Sequence, residues 1–176
     1  MRKIYIIGTS HQKIDAKLRL EFYDLFLKIN PDQIFIEKLS TEVATKNFRN
    51  DRPEMALAYQ WAIDNNKIAT AFDYKLNFIK RSVSKLELDN INFELTKITQ
   101  EIGWKELNKF KNIQLLEVAL GRVIDRGKYN KRETRMLDKI NKNILKEGNI
   151  LVLCGTLHVP FLKKNMKEAF LLADIR

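Results

Sequence analysis

Cysteine, histidine, glycine and proline are all scarce in this chain of 176 residues, and each shortage closes off a class of architecture. A single cysteine, Cys154, rules out an intrachain disulfide framework and suits a reducing compartment. Lying inside an apolar run, it reads as a small buried hydrophobe. Six glycines and three prolines leave little room for long linkers. No apolar run approaches the roughly 18–20 residues of a membrane span, and the run before Gly8 is too brief for a signal peptide. The expectation is a soluble cytoplasmic protein with no membrane association, folded as one α/β domain over residues 1–176.

The two histidines are the most informative shortage. His11 and His158 close the same string, Gly8-Thr9-Ser10-His11 and Gly155-Thr156-Leu157-His158, each at the end of an apolar run. Short runs rich in Ile, Leu, Val and Tyr and closed by Gly predict parallel strands buried on both faces. A helical pattern resumes after each, so both histidines fall on strand-to-helix loops at the carboxyl end of a strand. Ligands bind at that edge in open α/β sheets, because loops from different strands converge there. Gly8 and Gly155 allow a sharp turn or a close approach, and the hydroxyls of Thr9 and Thr156 can cap it. These four are the candidate cofactor-binding positions.

Between the motifs the chain alternates strand and helix. A helix is predicted from about 16 to 29, stopped by Asn30-Pro31. A strand over 33–36 ends at Glu37, a polar segment runs through Asp51, and a helix starts at Arg52-Pro53. A third strand, 68–72, ends at Asp73. Residues of about 75–148 read as a helical insertion with breaks near Asp89-Asn90, Gly103 and Gly127, placed before the last strand; a closing helix follows over 159–173. The predicted architecture is thus a single central, largely parallel sheet of about four or five strands flanked by helices. Four strands ending in His11, Glu37, Asp73 and His158 would line these residues along one sheet edge. Two imidazoles and a carboxylate there form a candidate divalent-metal site with open positions for water.

The net charge of +10 raises nucleic acid as a partner. Between Gly103 and Glu147 twelve Lys or Arg stand against six Asp or Glu, and Lys128, Arg132, Arg135, Lys139, Lys142 and Lys146 recur at helical spacing. With Met136, Leu137, Ile140 and Ile144 assigned to the other side, the stripe reads as a solvated face, favoured over a phosphate-tracking surface.

Taken in order, Gly8-Thr9-Ser10-His11, the segment from Pro31 to Glu37 with Leu39, Glu54 with Ala58 and Ala62, Asp73, Arg132 with Met136, and Gly155-Thr156-Leu157-His158-Val159 resemble the TraB/Tiki superfamily, which also includes erythromycin-esterase and ChaN-like proteins. The resemblance spans nearly the whole chain. Two departures are visible: Tyr74 stands where TraB-like chains usually carry Arg, and the hydrophobic C-terminal region of TraB relatives is missing. What the resemblance implies is a metal-dependent hydrolase, most of all a peptidase or amidase, with His11, Glu37 and His158 around one Mn, Co or Zn ion. Metal-bound water would supply hydroxide near neutral pH. Glu54 or Asp73 would serve as a base or orient an imidazole, and Arg132 would hold a substrate carboxylate or an oxyanion. The partner would be a peptide or small-molecule substrate, with a homo-oligomer left open. The alternative is a binding protein that holds haem, a peptide or nucleic acid without turnover.

Overall fold

The computed structural model describes residues 1–10, 15–44 and 52–175, so His11 and residues 45–51 of the polar segment before Arg52 lie outside the described residues. Strand β1 (Arg2–Thr9) is followed by α1 (Ala16–Ile29), β2 (Gln33–Ile36), α2 (Ser40–Ala44), α3 (Pro53–Asp64) and β3 (Ile68–Ala71). The insertion then contributes α4 (Lys85–Ile102), α5 (Trp104–Leu107), α6 (Phe110–Gly121) and α7 (Arg126–Asn143). Strand β4 (Gly148–Gly155), a 3-10 turn (Thr156–His158), α8 (Val159–Asn165) and β5 (Phe170–Leu171) complete the order. All five strands are parallel, in the order β3-β2-β4-β1-β5. No described helix is long and apolar enough to cross a membrane.

Alternation along the strands explains why both faces are covered. Ile7, Ile34, Ile36, Leu151 and Leu153 pack with α1 and α3. The intervening Ile6, Phe35, Ile150, Val152 and Cys154 pack under α6, α7 and α8. Side chains on a strand alternate between faces, so a strand buried on both becomes a continuous apolar run. Local signals set the helix ends. Asp15 accepts the N–H of Leu18 to cap α1, whose last turn closes on Asn30 in the left-handed region at φ 44°.

The structure departs from the sequence expectations in four places. Residues 74–84 are not helical; Ile79 bridges Ile124, and Phe78, Ile79 and Val83 join a small third core within the insertion. Helix α4 runs straight through Asp89-Asn90, since burial of Ile91 outweighs the small propensity cost of two exposed polar residues. Gly127 lies in the first turn of α7, where Asp125 caps the N–H of Lys128, so the break precedes it. The closing helix stops at Asn165, and Phe170-Leu171 pair with Tyr5 and Ile6 instead, giving the open edge of β1 a partner. The insertion therefore precedes the fourth strand of five.

Candidate active site

Strand order decides which polar termini can meet. Strand β4 lies between β1 and β2, with Thr9 opposite Gly155 and Ile36 opposite Leu153. Glu37, the first residue past β2, is thereby brought beside the second Gly-Thr-x-His motif, and its Oε2 accepts a short hydrogen bond from the N–H of Gly155. Asp73 arrives from the neighbouring β3, its N–H donating to the carbonyl of Lys38 at 3.0 Å. The loops themselves are tied together, since Thr156 Oγ1 donates to the carbonyl of Thr9 at 3.0 Å. A Cβ on Gly8 would come within 2.7 Å of Thr156 Cα, so this close approach requires glycine. The Thr156 hydroxyl therefore cross-links the two motifs, where a cap of its own turn was expected.

Arg132 is the hub. Its Nη2 lies 2.8 Å from Asp73 Oδ1 and 3.0 Å from Glu37 Oε1, and its Nε donates to Asp73 Oδ1 at 3.0 Å. Its Nη1 is 3.3 Å from His158 Nε2, and its Cζ sits 5.2 Å over the Phe78 ring. Burial works against the charge of this guanidinium, but Glu37 and Asp73 outweigh it and raise its pKa further. Arg52, at the start of α3, supplies a second cation: Nη1 donates to the carbonyl and Oε1 of Glu37 at 2.7 and 3.0 Å and reaches Asp73 Oδ2 at 3.4 Å.

His158 is fixed on its other side. Its Nδ1 is 2.9 Å from Glu133 Oε1 and 3.2 Å from the Tyr129 hydroxyl, and the Tyr129 ring stacks on the imidazole at 5.3 Å and 12°. A carboxylate accepts hydrogen bonds and a guanidinium only donates them, so the partners assign Nδ1 as the donor to Glu133 and turn the Nε2 lone pair toward Arg132. Burial, then the charges of Glu133 and Glu37, push the Tyr129 phenol well up, which keeps it protonated. Burial likewise pushes up the Cys154 thiol, with Glu37 and Glu133 adding to it, so that thiol is an inert packing group.

A cavity of about 230 Å³ adjoins this network. Thr9, Glu37, Arg52, Tyr129, Arg132 and His158 give it a polar lining, and Phe78, Leu95, Leu116, Leu120 and Leu157 an apolar one.

Of the residues singled out from sequence, Glu37, Asp73, Arg132 and His158 are brought together. Gly8 and Thr9 end β1, Gly155 ends β4 and Thr156 opens the turn that follows, where sequence placed all four on loops. Glu54 is buried, and its Oε1 accepts from Thr9 Oγ1 at 2.8 Å, which places it beneath the first motif. His11 lies outside the described residues.

The basic stripe requires correction. Arg132 is buried and Lys139 donates to the carbonyl of Asp73 at 2.6 Å, whereas Arg135 and Lys142 are exposed and Lys146 lies beyond α7. Residues four apart on an α-helix differ by only about 40°, so Arg132 shares its face with Met136. Sequence reasoning missed Tyr129, Glu133, Arg52 and Asn108. The signal for the first two was the buried face Tyr129, Arg132, Glu133, Met136 and Ile140, in which three polar residues interrupt an apolar stripe. Asn108 is buried and clamps Gly8 by accepting its N–H at 2.7 Å and donating to its carbonyl at 2.9 Å; nothing local announces that contact across 100 residues.

A divalent ion shared by Glu37 and His158 would use Oε1 and Nε2, which are 3.8 Å apart. Arg132 stands against both atoms, and an ion between them would sit within a few ångströms of a fixed guanidinium. The described donors, as arranged, do not fit such an ion, and among the described residues no cluster of three or more His, Cys, Asp or Glu is placed to hold one. No family model, curated protein or solved structure matches this chain.

Proposed function

We propose that this chain hydrolyses an ester or amide of a small molecule, with His158 as the proton carrier. One observation carries the reading: a buried imidazole whose Nδ1 is held by Glu133 and whose Nε2 faces Arg132 on the wall of the cavity. A histidine oriented by a carboxylate is the arrangement that acid–base catalysis needs. The 3.3 Å contact of Arg132 Nη1 is the longest of its hydrogen-bonding contacts, and so the one that yields most easily to an entering water. That water attacks the carbonyl carbon while Nε2 takes its proton. The oxyanion that forms accepts from Arg132, which Glu37 and Asp73 hold in place. Collapse of the intermediate breaks the bond to the leaving oxygen or nitrogen, which receives the proton from His158. A carboxylic acid and an alcohol or amine are released. The resemblance to TraB/Tiki proteins supports a hydrolytic reading, and its metal dependence becomes one arm of the test.

The test is hydrolysis of a panel of p-nitrophenyl esters and anilides, with and without chelator. His158→Gln should lower kcat by about 10²–10⁴-fold with folding intact, whereas Cys154→Ser should retain activity. Loss of turnover on chelation, restored by Mn, Co or Zn, would mean that Arg132 moves aside for an ion completed by His11. A panel that yields no turnover, or a His158→Gln variant as fast as the wild type, refutes the proposal.

A further inference from the structure

We propose that the helical insertion supplies an acyl pocket, so that the site selects an uncharged ester or amide of a short- to medium-length aliphatic acid. This rests on the hydrolase reading above and adds the substrate class.

The apolar lining of the cavity comes from one part of the chain. Phe78 precedes α4, Leu95 lies on α4, and Leu116 and Leu120 stand one turn apart on α6; Leu157, between the threonine and histidine of the second motif, meets them. Phe78, Leu95, Leu120 and Leu157 are only partly buried, and the space they leave open is this cavity. Leu116 is buried, yet it belongs to none of the three packed clusters. Phe78, Leu95 and Leu120 pack with one side against the small core of the insertion and Leu157 against the core under α6, α7 and α8, and each keeps a further side open to the cavity; a concave apolar surface of this kind is favourable to cover with an apolar ligand.

The lining is also coupled to the reacting end. Phe78 meets Tyr129 edge to face at 5.3 Å, and Tyr129 stacks on His158 at 5.3 Å. A chain lying along Phe78 would present its carbonyl near the imidazole. Charge argues for an uncharged ligand. Both arginines on the wall are already engaged with Glu37 and Asp73, so an ionised head would have to displace a buried carboxylate from Arg132. Size sets the upper limit. At about 230 Å³ the cavity falls below the roughly 300–1,000 Å³ of sites for drug-sized ligands, so methylenes beyond a medium-length chain should find no apolar surface to cover and add nothing.

The experiment measures kcat/KM for p-nitrophenyl esters from acetyl to dodecanoyl, on the wild type and on Leu116→Ala and Leu116→Trp. In parallel, calorimetric titration with uncharged alkyl methyl ketones of matching length reads binding without turnover. The expected result is a rise of roughly fourfold per methylene up to a cutoff. The cutoff should move to longer chains in Leu116→Ala and to shorter ones in Leu116→Trp. Leu120→Ala replaces any Leu116 variant that circular dichroism shows to be unfolded, and it too should lengthen the cutoff. Ketone binding with the same cutoff and the same shifts, but no hydrolysis of any ester, would keep the acyl pocket and refute the hydrolase. Hydrolysis indifferent to chain length, or a cutoff that none of these variants moves, would refute the acyl pocket and leave the hydrolase standing. Neither hydrolysis nor ketone binding would refute both.

Discussion

Replacing Arg132 by Met tests whether the centre of the site is a buried ion network or part of a solvated stripe. Met keeps most of the aliphatic stem and removes the charge, so packing is largely retained. The side chains of Arg132, Glu37 and Asp73 are 7%, 2% and 10% exposed, so the carboxylates left behind stay largely screened from bulk water. Removing one partner of a buried ion pair costs about 3–5 kcal/mol, mostly because the other charge is left behind. Arg52 remains in contact with both carboxylates, which places the expected loss near the lower end, about 3 kcal/mol. Arg52→Met should cost only about 1 kcal/mol, because that side chain is 23% exposed and Arg132 stays in place. Urea denaturation followed by fluorescence suits the measurement, since Trp61 and Trp104, the two tryptophans, are both buried. Adding Glu37→Gln to Arg132→Met should recover part of the loss, with a coupling of at least about 1 kcal/mol. A cost below about 1 kcal/mol for Arg132→Met, equal to that of an exposed lysine, would refute the buried network and with it the assignment of the site.

Gly8→Ala should destabilise by about 1–3 kcal/mol in the same assay, because the new methyl meets Thr156 Cα at 2.7 Å and Val159 Cγ2 at 2.8 Å; a neutral result would mean that the loops are further apart. The Asp32 carboxyl is held below its usual value of 3.8 by the N–H of Asn149 and then by Lys67, so it contributes stability above that pH and loses it as acid protonates the folded form. Asp32→Asn should therefore be less stable than wild type at neutral pH, with the difference shrinking as the pH falls below 3.8 and the folded carboxyl takes up its proton, in acid titrations followed by circular dichroism; a gap that persists or widens in acid would contradict this. The buried Cys154 thiol should resist Ellman's reagent in the native protein and react fully in denaturant, and rapid native labelling would overturn its assignment to packing.

How much was legible beforehand depended on whether the information was local. Helix α1, the strands leading to Glu37 and Asp73 and the turn that carries His158 are written in runs of a few residues, and they appear where the sequence placed them. The interior of the insertion was less legible, because residues 74–84 are ordered by a bridge to Ile124 and by the small core around Tyr129. Glu133 and Arg52 resemble any surface charges until strand order is known, since their partners come from β2, β3 and the turn after β4. The face of α7 was misjudged for a different reason. Long basic side chains were assumed to point to solvent, and a carboxylate pair waiting at the sheet edge reversed the preference for Arg132.

The strand order also fixes when the molecule can assemble. The central strand β4 is formed by residues 148–155, yet it pairs along its whole length with residues 2–9 and separates β1 from β2. During synthesis the first two strands emerge early and have no direct contact to make with each other. Each keeps an unpaired edge until residues 148–155 have been made. Such long-range pairing makes folding slow and its intermediates prone to stick to one another. The insertion can form its own helices and small core in that interval, but the cavity exists only after β4 has entered the sheet, so the site takes shape after the insertion that lines it.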